Sequence, residues 1–349
     1  MQTQTLGFHF QSDTFQPGTE CTGGIALHPF LRHFDASFAQ SGASIFEQFL
    51  KSNTQARNWL LLSDYAFNDR TKNSDVASFS FIPVKEDIQK LFERFKSVAP
   101  KDIKKVKQVR PEFIDLIKSY PTFSVSVLLG RNRRLSASER GGLVSDLGMI
   151  HQMVDRWQPR DGEQDYAALS QDFKVLLEAL KERRANMRVV RDLVIVSNLV
   201  AYLAYSFHRQ LTGSSLVWAT DRDSMLGFLT GKSSGSLFHH FAHTLHHVLC
   251  VQGGLDSSAS RLDFAVPEES GSLWYDDALR VPDLLCGALA DLQYEVGKPL
   301  QWTHSKFEPV VLHLLSDQKS QLIFKISFDA ESGEPRADRL VFNIEMPAS

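Results

Sequence analysis

Cysteine is scarce and unpatterned. Cys21, Cys250 and Cys286 are the three in 349 residues, an odd number without CxxC or other ligand spacing, which argues against a disulfide framework and for buried thiols in a reducing compartment. An excess of one charge is also missing: 38 Lys and Arg face 41 Asp and Glu, for a formal net charge of -3. A nucleic-acid partner would therefore be held by local basic patches and not by overall charge. The opening MQTQTLGFHF lacks a basic segment followed by an apolar one, so no secretory leader is expected and the expected location is the cytoplasm. Long apolar runs are absent as well. The most apolar stretch, residues 193–207, contains Ser197 and Asn198 and follows Arg191 and Asp192, so it reads as a buried helix rather than a bilayer span. GxGxxG does not occur, and GKSSGS from Gly231 follows an apparent helix rather than a strand and lacks the spacing of a Walker loop, so neither a nucleophile elbow nor a phosphate loop is read there.

What is present suits a globular chain: 43% hydrophobic and 11% aromatic residues fill a sizeable core. Residues 57–69, RNWLLLSDYAFND, hold the short apolar run Trp59, Leu60, Leu61, Leu62, as expected of a strand buried on both faces. Phe79 and Phe81 alternate with Ser78 and Ser80 in a half-buried strand that can pair with the first as a hairpin. Helical spacing follows at 86–98 and 112–118, a strand at 122–129, one helical pattern inside a polar segment at 131–165, and helices from 166 to 211 split near 183–188. Strands at 215–220 and 261–266, helices at 237–251 and 282–296, and two C-terminal runs, 321–328 and 339–345, joined by a turn complete the order. Alternating strands and helices predict an α/β fold, a mixed central sheet flanked by helices. The expected division is an N-terminal extension (1–55), a central domain with helical insertions (56–300) and a β-containing C-terminal extension packed on the core (301–349).

Three acids recur in one context. Asp64 follows the first apolar strand, Asp221 ends SLVWATD, and Asp283 begins DLLCGAL in what reads as the first turn of a helix. Several carboxylates on rigid elements are what a two-metal phosphoryl-transfer site needs, with two divalent ions about 4 Å apart. Taken singly, each acid has an ordinary explanation: a turn at Asp64, a helix cap at Asp221 or Asp223, an answer to a helix dipole at Asp283.

The strand ending in Asp64, the strand ending in ATDRD, and VPDLLCGAL at residues 281–289 resemble an RNase H-like family of unknown function. Its members carry an Asp-Glu-Ser-Gly signature after the first strand and a terminal Ala-Asp-Leu-x-Ala-Gly-Ala helix. The resemblance spans about residues 57–295. It implies an RNase H-like fold and a Mg2+- or Mn2+-dependent nuclease, with Asp64, Asp221 and Asp283 as catalytic metal ligands and Asp223 as a fourth ligand. Tyr65 stands where the family has Glu, and Pro282 where it has Ala before the last Asp.

Three basic runs could meet phosphates: Lys101, Lys104, Lys105, Lys107 and Arg110; Arg131, Arg133 and Arg134; and Lys181, Arg183, Arg184, Arg188 and Arg191. The stretch FHHFAHTLHHVLC offers the i,i+4 pairs His239 with His243 and His243 with His247, a zinc-compatible spacing, on a helix that also has an ordinary core face. Two functions follow as expectations: a metal-dependent nuclease acting on RNA or DNA, or an inactive RNase H-like binding or scaffolding subunit of a prokaryotic defence or mobile-element system. Neither involves a membrane, and either is compatible with protein partners or a homo-oligomer.

Overall fold

The structure, a computed structural model, describes residues 28–100, 102–131, 133–157, 166–229, 236–256, 258–266, 272–295 and 300–342. The described residues open with α1 (Pro29–Ser41), α2 (Ala43–Lys51), β1 (Asn58–Ala66), β2 (Asp75–Pro83), α3 (Ile88–Val98), α4 (Pro111–Ser119) and β3 (Phe123–Leu129). It continues through α5 (Glu139–Val154), α6 (Tyr166–Lys181), α7 (Met187–His208), β4 (Ser215–Thr220), α8 (Leu237–Gln252) and β5 (Leu262–Phe264). It then forms α9 (Asp276–Asp291), the short pair β6 (Leu292–Gln293) and β7 (Gln301–Trp302), and finally β8 (Gln321–Phe328) and β9 (Pro335–Leu340).

Seven strands form one mixed sheet in the order β5-β4-β1-β2-β3-β8-β9. β1, β2 and β3 are an antiparallel meander, β4 and β5 run parallel to β1, β8 runs parallel to β3, and β9 returns antiparallel on the edge. The central place of β1 follows from its sequence. Trp59 and Leu61 enter one core layer while Leu60 and Leu62 enter the other, which only an interior strand covered on both faces can satisfy.

The first layer packs Phe34 and Phe38 of α1, Phe207 of α7 and Phe241 of α8 against Trp59, Phe81 and Trp218. α7 is apolar enough to cross a bilayer by length and composition, but 83% of that window is buried inside the protein, as in a core helix. The second layer is made by α3, α4, α9 and the turns after β7. Here β2 departs from the sequence reading. Ser78 and Ser80 are fully buried and share 2.8 Å hydrogen bonds with Ser126 and Ser124 of β3. Mutual pairing satisfies the hydroxyls, so small polar residues serve under a helix where solvent was expected.

Other boundaries shift too. α9 starts at Asp276, with Asp276 and Asp277 in its first turn and Pro282 inside it, so the expectation of a helix beginning at Pro282 is corrected. Buried Ala278, Leu279 and Val281 carry the earlier turns, and their packing outweighs the loss of the proline's N–H. The second C-terminal strand starts at Pro335 rather than Arg339 because Asp329 organises a tighter turn, accepting from the Glu331 and Ser332 amides, and Gly333 takes a φ of 74°. β8 and β9 extend the main sheet, and α1 reaches β9 through the Ser37 hydroxyl on the Ala337 carbonyl at 2.5 Å. Cys250 and Cys286 are buried free thiols; Cys21, Lys101 and residues 231–235 lie outside the described residues.

One residue of the second basic run proves structural. Arg133 follows β3 with a side chain only 2% exposed, and donates to Asp75 at the start of β2 and to Asp192 on α7, each at 2.5 Å. Asn68 completes the corner through its amide on Asp75 at 2.9 Å and its side chain on Asp192 at 3.4 Å. Two acids held by one buried guanidinium are costly to orphan. Arg133→Met should lower the unfolding free energy by about 3–5 kcal/mol in urea titrations; a loss below about 1 kcal/mol would show that the corner carries little.

Candidate active site

Alternation along β1 places Leu60, Leu62 and then Asp64 toward the layer containing α9. Along β4, Val217 and Ala219 face the same layer, and Asp221 follows them. The parallel register pairs Leu62 with Ala219 and Ser63 with Thr220, and the Asp221 amide donates to the Ser63 carbonyl at 3.3 Å. Asp64 and Asp221 are therefore neighbours at two adjoining strand ends. α9 crosses above them: the Cys286 thiol donates to the Asp64 carbonyl at 3.0 Å, and Asp283, three residues earlier, shares that helical face. Asp283 is mid-helix, so a dipole does not explain it.

Electrostatics report the same convergence. Burial, reinforced by the Asp283 and Asp221 carboxylates, pushes the Asp64 carboxyl up to about 8 against an ordinary 3.8, over the opposing Tyr65 amide and Lys104. Burial raises Asp283 to about 6, with Asp221 adding to the rise while Arg280 and Lys104 oppose it. One oxygen of Asp221 accepts from the Arg222 amide at 2.7 Å. Beside the acids opens a cleft of about 660 Å³ lined by Asp221, Asp283, Asp276 and Arg280, and by Asp102, Lys104, Lys105 and Val106 from the loop between α3 and α4. Asp64 is set back from its wall.

Asp223 is separated from this group. Its carboxylate accepts from the Ser224 hydroxyl at 3.0 Å and the Met225 amide at 2.9 Å, capping a turn over residues 224–229 where the sequence suggested a helix. Its charge acts on Tyr65. Tyr65 points to the opposite face of the sheet, where its hydroxyl meets Ser63 at 2.7 Å and Thr220 at 3.0 Å, and the Trp218 indole donates to Ser63 at 2.8 Å. The residue at position 65 therefore contributes nothing to the cleft, and its identity removes no ligand from it.

Three half-buried carboxylates, of which Asp64 and Asp283 are raised by burial and by their acidic neighbours, suit a hard divalent cation, whose charge would draw those two back down. Among the described residues, no three His, Cys, Asp or Glu side chains are already grouped to hold an ion, so a coordination shell requires the acids to turn inward. The histidines of α8 are largely core groups. His239 stacks on Phe264 at 4.7 Å, His240 pairs with Asp172, and His246 lies 3.1 Å from His208 and 3.3 Å from Cys250. Burial holds His208, His239 and His243 down to about 4.

Of the basic runs, the first reaches the acids, through Lys104 and Lys105. In the second, Arg131 donates to the Asp69 carbonyl at 2.9 Å while Arg133 is buried. In the third, Arg191 pairs with Glu139 at 2.5 Å and Arg184 with Glu182. Sequence reasoning missed Asp276 and Arg280 as cleft residues; the available signal was their spacing from Asp283, which keeps Arg280 on the same helical side. A scan against protein-family models and searches of curated proteins and of solved structures found no match.

The raised Asp64 carboxyl sets a pH dependence. The unfolded chain loses this proton first, so without divalent ions stability falls as pH climbs from about 4 to about 8. Asp64→Asn escapes that penalty. Its melting temperature should gain on the wild type across this window in EDTA, and a pH-independent difference would contradict the shift.

Proposed function

We propose that this chain is a metal-dependent nuclease of RNase H-like architecture that hydrolyses phosphodiester bonds of RNA or DNA in the cleft beside Asp221 and Asp283. The observation that carries the reading is the gathering of Asp64, Asp221 and Asp283, from two strand ends and one helix, on a single face, where the other two carboxylates help to raise Asp64. An antiparallel meander joined to parallel strands, with acids on β1 and next to β4, suits that architecture. Bound Mg2+ or Mn2+ would supply an activated water and neutralise charge building on the phosphate. Asp64, Asp221 and Asp283 would be the residues that hold the metal. Asp64 would need to be deprotonated to serve as a ligand, so cation binding should strengthen as pH rises toward about 8. Lys104, Lys105 and Arg280 line the other walls and meet the phosphates, giving an affinity that falls with salt. The same reading places the protein in the cytoplasm.

The absence of a closed metal shell among the described residues favours a second reading, a binding or scaffolding subunit that kept the cleft without the chemistry. Degradation of RNA, DNA and hybrid substrates with Mn2+ separates the two. Asp64→Asn, Asp221→Asn and Asp283→Asn should each lower turnover about a hundredfold or more, the scale on which one preorganised charge-stabilising group acts. Binding of these polymers without cleavage, unaffected by the substitutions, would favour the scaffold; wild-type protein that does neither overturns both.

A further inference from the structure

Lys306 lies on the turn Ser305–Phe307 after β7, some two hundred residues from the basic loop, yet its ammonium reaches into that loop. Nζ donates to the Ile103 carbonyl at 2.7 Å and the Val106 carbonyl at 3.4 Å, so its two contacts bracket Lys104 and Lys105, the residues that face the acids across the cleft. The anchor is firm. Asp291, the last residue of α9, accepts from the His304 amide at 2.8 Å, contacts the His304 ring at 2.6 Å and pairs with Lys72 at 3.0 Å. Phe307 is buried against Gly287 of the same helix, where an added Cβ would meet the ring at 3.3 Å. The turn carrying Lys306 is therefore fixed to the helix that carries Asp283. Within the loop, Asp102 accepts the Lys104 amide at 2.9 Å and pairs with the Lys105 ammonium at 3.2 Å; these are local bonds that shape the turn without setting its place over the cleft.

We infer that Lys306 is a positioning residue: by holding two carbonyls of the 102–106 loop to the α9 end of the sheet, it presents Lys104 and Lys105 to the phosphates of a polynucleotide lying over the acids. This rests on the nuclease reading and adds to it what keeps the cationic wall opposite the acidic one. Charge-assisted bonds to the two carbonyls are stronger than neutral ones. Ile103 is itself buried in the second core layer and Val106 only partly exposed, so losing these bonds frees the exposed Lys104 and Lys105 between them while the packing of Ile103 keeps the core folded.

The test compares the full chain with Lys306→Met, which keeps the stem without the charge, and Lys306→Arg, which keeps the charge. Amide hydrogen exchange over residues 103–107 is read first, then binding and Mn2+-dependent turnover of poly(U) RNA and poly(dT) DNA. Lys306→Met should exchange about tenfold faster in that loop and weaken polymer binding and raise KM by a similar factor, with kcat at saturation within about twofold. Lys306→Arg should recover most of both. Unchanged loop exchange, unchanged affinity, or a loss confined to kcat would overturn the assignment. A wild-type chain that binds neither polymer overturns the nuclease reading and the grip together, and hydrogen exchange then still shows separately whether the tether exists.

Discussion

Crowding of like charge at the carboxyl ends of two adjoining strands is the constraint around which the second layer of this protein is built. Asp64 and Asp221 are placed side by side by the parallel register of β1 and β4, and Asp283 is lowered onto them by α9. Such an arrangement costs stability at neutral pH, since the carboxyls repel and are partly withdrawn from water. A fold that only needed to fill its core would have placed apolar residues there. Strain of this kind is tolerated when surrounding structure over-determines it, and is a reason to look for function.

The surroundings do over-determine it. Beneath the strand ends, Tyr65, Ser63, Thr220 and Trp218 form a hydrogen-bonded cluster that fixes β1 against β4 from the opposite face. At the same end of the meander, just past β1, Arg133 joins β2 to α7 through Asp75 and Asp192. Serine pairs across β2 and β3 keep side chains short below α9, and the Cys286 thiol touches the backbone of Asp64 itself. The acids are thus set on rigid elements. Their cationic counterparts, Lys104 and Lys105, are exposed on a loop that is pinned by buried Ile103 and by polar bonds to Asp102 and Lys306.

Much of this was legible in the amino-acid order. The four-residue apolar run at Trp59–Leu62 suited an interior strand, and an acid shortly after it, repeated after SLVWAT, fell close to the ends of β1 and β4, although β1 runs on to Ala66. Asp283 was singled out in the wrong setting, because a proline followed by Asp imitates a helix start while the actual first turn is Asp276 and Asp277. Ser78 and Ser80 were read as solvent-facing because alternation cannot distinguish water from a partner serine on the next strand. Arg133 and Lys306 were opaque for a different reason. Their partners lie 58 and 59 residues away in one case and about two hundred in the other, distances at which local patterning carries no information. Asp223, by contrast, had a local explanation in the sequence, and a turn cap is what it is.

The central claim is that side chains 64, 221 and 283 share one cation site. It is tested most directly by the anomalous scattering of Mn2+ in crystals of the wild-type protein. The account predicts a peak at the β1 and β4 strand ends with carboxylate oxygens of Asp64, Asp221 and Asp283 at about 2.0–2.3 Å. Mn2+ bound elsewhere, or no peak there under saturating metal, would contradict it.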